Sequence, residues 1–184
     1  DVTCRQILDR LKTLENEGYQ FEAAEASFEL LMRSILTPGK ELFLLKGFQV
    51  HCNIHQEIDN PASKALATIK VEVDGENLLE VAEGNGPVAA LDSALRKALV
   101  KFYPQIADFY LADYKVRILD GGAGTAAKTR VLVECSNGVK RWTTVGVSAN
   151  ILDASYQAVV EGMEYGLLLQ TVLENKAGIV KQRI

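Results

Sequence analysis

The sequence predicts an α+β fold: a duplicated βββα module with pseudo-two-fold symmetry, preceded by a helical linker pair. Three observations carry this. Apolar residues recur at helical spacing up to about residue 37 and alternate along the chain from residue 43. The alternating runs are joined by short turns and followed by one helix, which argues for α+β rather than for parallel βαβ units. VEVDGENLLEVAEG (71–84) also overlays VECSNGVKRWTTVG (133–146), and ALDSA (90–94) overlays ILDAS (151–155), a repeat of about 61 residues that suits a duplicated module.

The first helix opens at Thr3, which forms a capping box with Gln6, and runs through Ile7, Leu8, Leu11 and Leu14 to a stop at Gly18. After GYQF, Ala24, Phe28, Leu31 and Ile35 fall on one face of a second helix, closed by Pro38-Gly39. The pair, residues 1–37, is too short to bury its own apolar stripes and must lean on something larger. We read it as a linker belonging to a connecting region.

Residues 43–170 form the main domain, with repeat one at 43–104 and repeat two at 108–170. In repeat one, Phe48, Val50, Cys52 and Ile54 alternate with Gln49, His51, Asn53 and His55 as the first strand. Ala67, Ile69, Val71 and Val73 make the second, Asp74-Gly75 the hairpin turn, and residues 78–82 the third. Pro87 suits a helix start, Leu91, Leu95, Leu99 and Phe102 form its apolar face, and Tyr103-Pro104 ends it. Repeat two follows the same order, with strands at Tyr114–Ile118, 131–135 and 142–147 and a helix from about Asn150. Residues 171–184 read as a loosely fixed tail.

A net charge of −4 and scattered basic residues speak against nucleic acid. No apolar run approaches the roughly 18–20 residues of a membrane span, and the N-terminus lacks a signal-peptide layout, so no membrane partner is expected and the cytoplasm is the expected compartment. Cys4, Cys52 and Cys135 are far apart and lack a CxxC pair, and we read them as reduced thiols. His51 and His55 share a strand face but stand about 13 Å apart, too far for one metal. DGGAGT (120–125) lacks the spacing of a phosphate loop and reads as a flexible connection. Trp142 and Tyr156 are packing anchors on this reading, and Arg96, Lys97 and Lys101 the wet face of a helix. No nucleophile–base or paired-carboxylate constellation stands out.

The run EGNGPVAALDSALRKAL, the strand ADYKVRIL and TTVGVSANILDASYQAVVEGMEY resemble the regulatory domain of 2-isopropylmalate synthases and bacterial citramalate synthases. GYQFEAAEASFELL resembles the linker of the citramalate branch. The resemblance spans roughly residues 3–172. It implies an acyltransferase parent whose catalytic barrel precedes residue 1 and condenses acetyl-CoA with a 2-oxo acid, using a divalent metal held in that barrel. It implies no cofactor and no catalysis in this chain, a homodimer, and feedback inhibition by isoleucine or leucine, with isoleucine favoured by the linker.

A free amino acid presents a carboxylate, an ammonium and a side chain, and its site needs N–H donors, an acceptor and an apolar wall. The loop Gly84-Asn85-Gly86-Pro87 opens a helix whose first turn, with Val88 and Ala89, offers N–H groups and the positive dipole end to a carboxylate. Gly146 and Ser148 repeat this feature, with Ser148 or Asn150 as the cap. Asp113 is the candidate acceptor for the ammonium, on the strand where the family places effector contacts. Tyr114 walls the pocket, and Val88, Leu111, Ala126 and Ala127 line it. Taken without the resemblance, Gly-Asn-Gly-Pro before a helix is usually just turn chemistry and a cap. The alternative function is a purely structural dimerisation module, supported by the small residues Ala89, Ala90, Ala94 and Ala98 along one helix.

Overall fold

The structure is a computed structural model describing residues 2–39, 41–53 and 64–181. The chain divides into two compact units: residues 40–107, and residues 108–184 together with 1–39.

In the unit of residues 40–107, strands β1 (Leu44–Asn53), β2 (Lys64–Val73) and β3 (Glu76–Gly84) form an antiparallel sheet in that order. The β2–β3 turn is the expected Asp74-Gly75, and both residues have positive φ, 50° and 82°, as the tight hairpin turn requires. Strict alternation along β2 buries Ala65, Ala67, Ile69, Val71 and Val73. Helix α3 (Pro87–Leu99) lies on that face and buries Ala90, Leu91, Ala94, Leu95, Ala98 and Leu99. A 13-residue helix is marginal alone, but three buried leucines at roughly 1.5–3 kcal/mol each fix it to the sheet.

Phe102 is not on the helix, which ends at Leu99; it sits in the next turn, where the amides of Phe102 and Tyr103 both donate to the Leu99 carbonyl. Cys52, placed on the buried face, is exposed, because β1 is an edge strand and α3 lies mainly across β2 and β3. Ile54 and His55 lie outside the described residues.

In the other unit, β4 (Tyr110–Ile118), β5 (Thr129–Ser136) and β6 (Arg141–Ser148) repeat the antiparallel meander, followed by α4 (Ile151–Lys181). The DGGAGT segment forms two short 3-10 turns over Gly121–Ala126, broken at Gly124, whose φ of 58° and ψ of −127° are not helical. Trp142 is 1% exposed; its indole N–H donates to the Gly162 carbonyl of α4 at 2.8 Å, and its ring meets Phe109 edge-on. Gly162 and Gly166 permit this closeness, because a Cβ at either would run into Cys135, Phe109 or Trp142. The tail is a helix as far as Lys181: TVLENKAGIVK holds no proline, so no backbone N–H is missing to stop α4 at residue 170.

Helices α1 (Val2–Glu17) and α2 (Glu25–Leu36) belong to this second unit. Thr3 lies within the first turn of α1 rather than at its cap, and Gly18, at φ 113°, ends it. The face of the second sheet away from α4 carries Val145 and Val147, and these form one apolar cluster with Phe21, Ala24, Leu11, Leu14, Phe28 and Leu31. The N-terminal pair thus covers that sheet face, which is where its apolar stripes go. Among the described residues, no helix is long and apolar enough to cross a membrane.

Candidate functional site

The start of α3 is open. Its N-cap residue, Gly86, offers no side-chain cap, Pro87 at the first helical position has no N–H, and the first helical hydrogen bond runs from Ala90 N–H to the Gly86 carbonyl at 3.0 Å. The N–H groups of Val88 and Ala89 therefore have no capping side chain. Val88 is half-buried, while Asn85 and Ala89 are exposed. Gly86 itself is extended, at φ −167°, a conformation any residue adopts, and a Cβ there would meet nothing within 4 Å. Gly84 differs: a Cβ would strike the backbone of Ala89 and Ala90, so its glycine serves the close approach of β3 to α3.

The start of α4 is filled. Asn150 Oδ1 accepts from the Leu152 N–H at 2.9 Å, and Ser148 Oγ accepts from the Asn150 N–H at 3.0 Å. Asn150 is thus the cap, and Ser148 orders the residue that provides it. Gly146 has the same packing role as Gly84, since its Cβ would meet the Ala154 backbone.

On β4, Leu111 and Asp113 flank an irregularity in the pairing with β5. The Asp113 carboxylate pairs with Lys115 Nζ at 2.6 Å and accepts from the Tyr114 N–H at 2.9 Å. Lys115 first, and that amide second, hold the carboxyl below its ordinary range. An incoming ammonium would compete with Lys115. Tyr114 is half-buried and its hydroxyl lies 2.7 Å from Ser155 Oγ. Ser155 spends its own hydrogen on the Ile151 carbonyl at 2.6 Å, so Tyr114 is the donor. Tyr114 thereby ties β4 to the first turns of α4. Ala126 is exposed in the 3-10 turn and Ala127 is 7% exposed.

The expected site residues fall in two groups. Gly84, Asn85, Gly86, Pro87, Val88 and Ala89 belong to the unit of residues 40–107, and Leu111, Asp113, Tyr114, Ala126, Gly146 and Ser148 to the other. Two features escaped sequence reasoning. An open depression of about 300 Å³ on the first sheet is lined by Gly47, Phe48, Gln49, Thr68, Lys70 and Leu79; its one sequence signal is Leu79, which breaks the alternation of β3 and is 68% exposed. The second is Glu161, an acid set in sequence between the buried Val159 and Met163 of α4. Among the described residues, no group of three or more His, Cys, Asp or Glu side chains could hold a metal ion.

Two three-stranded antiparallel sheets, each followed by its own helix, make the protein a duplicated α+β module. The chain belongs to the family of LeuA allosteric (dimerisation) domains, whose model matches residues 22–167. It is 73% identical over 169 residues to an (R)-citramalate synthase of Synechocystis sp., covering 91% of this chain and 31% of that protein. It is 52% identical over 167 residues to the (R)-citramalate synthase of Geobacter sulfurreducens, again 91% of this chain and 31% of the relative. A 2-isopropylmalate synthase of Shewanella sediminis is 30% identical over 125 residues, 68% of this chain and 22% of the relative. The chain thus spans about a third of the length of the citramalate synthases it matches.

Proposed function

We propose that this chain is the effector-sensing and dimer-forming part of a citramalate synthase-type acyltransferase. It binds a branched-chain amino acid, isoleucine ahead of leucine, and feeds inhibition back to a catalytic barrel outside this sequence. Acetyl-CoA, the 2-oxo acid and the divalent metal belong to that barrel on this reading. The cytoplasm remains the expected compartment.

The contrast between the two helix starts carries the proposal. Asn150 already caps the start of α4 at the Leu152 N–H, whereas the start of α3 keeps the Val88 and Ala89 N–H groups uncapped beside an open space at Gly86. A ligand carboxylate fits the second description, since backbone N–H groups and the helix dipole favour an anion there. Of the duplicated features, α3 is then the working site and α4 its filled counterpart. Inhibition requires that the amino acid bind one conformation of the parent better than another.

Titration calorimetry of the chain with isoleucine, leucine and valine tests this. Saturable heat with isoleucine supports a citramalate-type effector module, and a preference for leucine moves the parent to leucine synthesis. The rival reading is dimerisation without an effector, favoured by the engagement of Asp113 with Lys115. It predicts no heat with any of the three. Its original support weakens, because Ala90, Ala94 and Ala98 are fully buried against their own sheet rather than presented to a partner.

A further inference from the structure

β6 pairs on one side with β5, and along its other edge three backbone N–H groups are each taken by a side chain. Thr143 donates to Glu25 Oε1 at 3.1 Å, Val145 to Ser27 Oγ at 2.9 Å and Val147 to Gln157 Oε1 at 3.2 Å. Two of these acceptors lie on α2, so the N-terminal helical segment closes a sheet edge that would otherwise be a template for stray pairing.

Ser27 is the centre of that seam. It is 3% exposed and accepts from Val145, so its single hydroxyl hydrogen goes to Glu161 Oε2 on α4. Glu161 is half-buried as a residue, but its carboxyl is enclosed where α2 meets α4. The seam continues on either side: the Tyr19 hydroxyl donates to Gln157 Oε1 at 2.8 Å and the Tyr165 hydroxyl to Glu29 Oε2 at 2.7 Å.

The groups facing Glu161 give its charge little help. α2 brings the neutral Ser27, with Glu25 and the Glu29–Arg33 pair further along; the segment ahead of α2 brings Tyr19; β6 brings the Val145 amide through Ser27; and α4 itself brings Glu164. Burial pushes the Glu161 carboxyl up to about 7, the Ser27 hydrogen bond opposes this, and the negative charge of Glu164 adds to it.

We infer that the seat of the N-terminal helical segment on the second repeat is a proton-dependent joint: the enclosed contact of α2 with α4 accommodates Glu161 as the neutral acid, and ionisation of Glu161 there loosens α2. The sign follows from linkage: a carboxyl raised in the docked state strengthens docking fully below the ordinary Glu range. That contribution falls as pH rises towards about 7 and is spent above it. Because this segment is the part of the chain that covers the β6 face and edge, the joint makes its attachment sensitive to pH near neutrality.

Carbon-detected NMR titration of the Glu161 carboxyl, combined with hydrogen exchange at the Val145 amide, tests the joint. The expected midpoint lies near 7, and Val145 protection, corrected for intrinsic exchange, falls by about tenfold or more from pH 5 to pH 8, while Ile69 in the other unit is unchanged. Glu161→Gln, a neutral isostere, should keep Val145 protected and flat with pH, and Ser27→Ala should move the Glu161 midpoint higher by removing a bond that favours the ionised form. A Glu161 midpoint in the ordinary range of about 4–5 would overturn the inference whether or not either variant folds. So would the same pH dependence of Val145 in Glu161→Gln.

Discussion

Gly84 and Gly146 stand at the same place in the two repeats, each near the end of a third strand and each too close to the fourth residue of the following helix, Ala90 or Ala154, to admit a Cβ. Ala90 and Ala154 in turn donate to the carbonyls of Gly86 and Asn150, the residues that open the two helices. The duplication is therefore preserved in how strand and helix touch, and it diverges in how the helix is capped.

That relationship predicts a sharp contrast among glycines. Gly84→Ala or Gly146→Ala should destabilise its unit by about 1–3 kcal/mol, the cost of forcing atoms into a filled contact. Gly86→Ala should change stability by less than about 0.5 kcal/mol, since its backbone and surroundings accept a side chain. Urea unfolding of the three variants checks both.

Gly86→Asp should separate binding from folding. An N-cap carboxylate would take the Val88 and Ala89 N–H groups, stabilising α3 by about 0.5 kcal/mol while occupying the proposed ligand carboxylate position. The expected outcome is unchanged or raised Tm with at least about tenfold weaker amino-acid binding in calorimetry, and unchanged affinity would count against the proposed site.

Asn150→Ala removes the cap of α4 and should cost about 1 kcal/mol, seen as a lower Tm. Effector affinity should not change, because that helix start is the filled one.

Tyr165→Phe breaks the bond to Glu29, the first cause holding that carboxyl below its ordinary range, ahead of Arg33. A depressed carboxyl adds stability above its ordinary range and loses it as pH falls through the lowered value. The variant should therefore be less stable by about 1 kcal/mol at neutral pH, with the gap to the native chain closing in acid, as followed by thermal unfolding across pH.

Much of this architecture was legible because period and turn chemistry agree. Ile69, Val71 and Val73 alternate into Asp74-Gly75, and Leu91, Leu95 and Leu99 mark a helix face, so local pattern and tertiary burial coincide. The repeat was legible too, but the ALDSA–ILDAS overlay is out of register with the helices: Asp92 is the sixth residue of α3 and Asp153 the third of α4. The strand–helix loops are equally long, residues 85–86 and 149–150, but β6 runs two residues past Gly146 whereas β3 ends at Gly84, and sequence hides such a shift. The difference in capping was half visible, since Asn150 and Ser148 are capping residues and Gly86 is not. The engagement of Asp113 by Lys115 and of Glu161 by Ser27 was not, because the first needs side-chain placement on an irregular strand and the second joins residues 134 apart in sequence.

Titration of isotope-labelled chain with isoleucine, followed through its amide signals by NMR, tests effector binding at the start of α3. Saturable shifts of Val88 and Ala89 are expected, with Leu152, whose amide is already bound by Asn150, unmoved. Shifts at Leu152 with Val88 and Ala89 silent, or no saturable shift at either helix start, would contradict it.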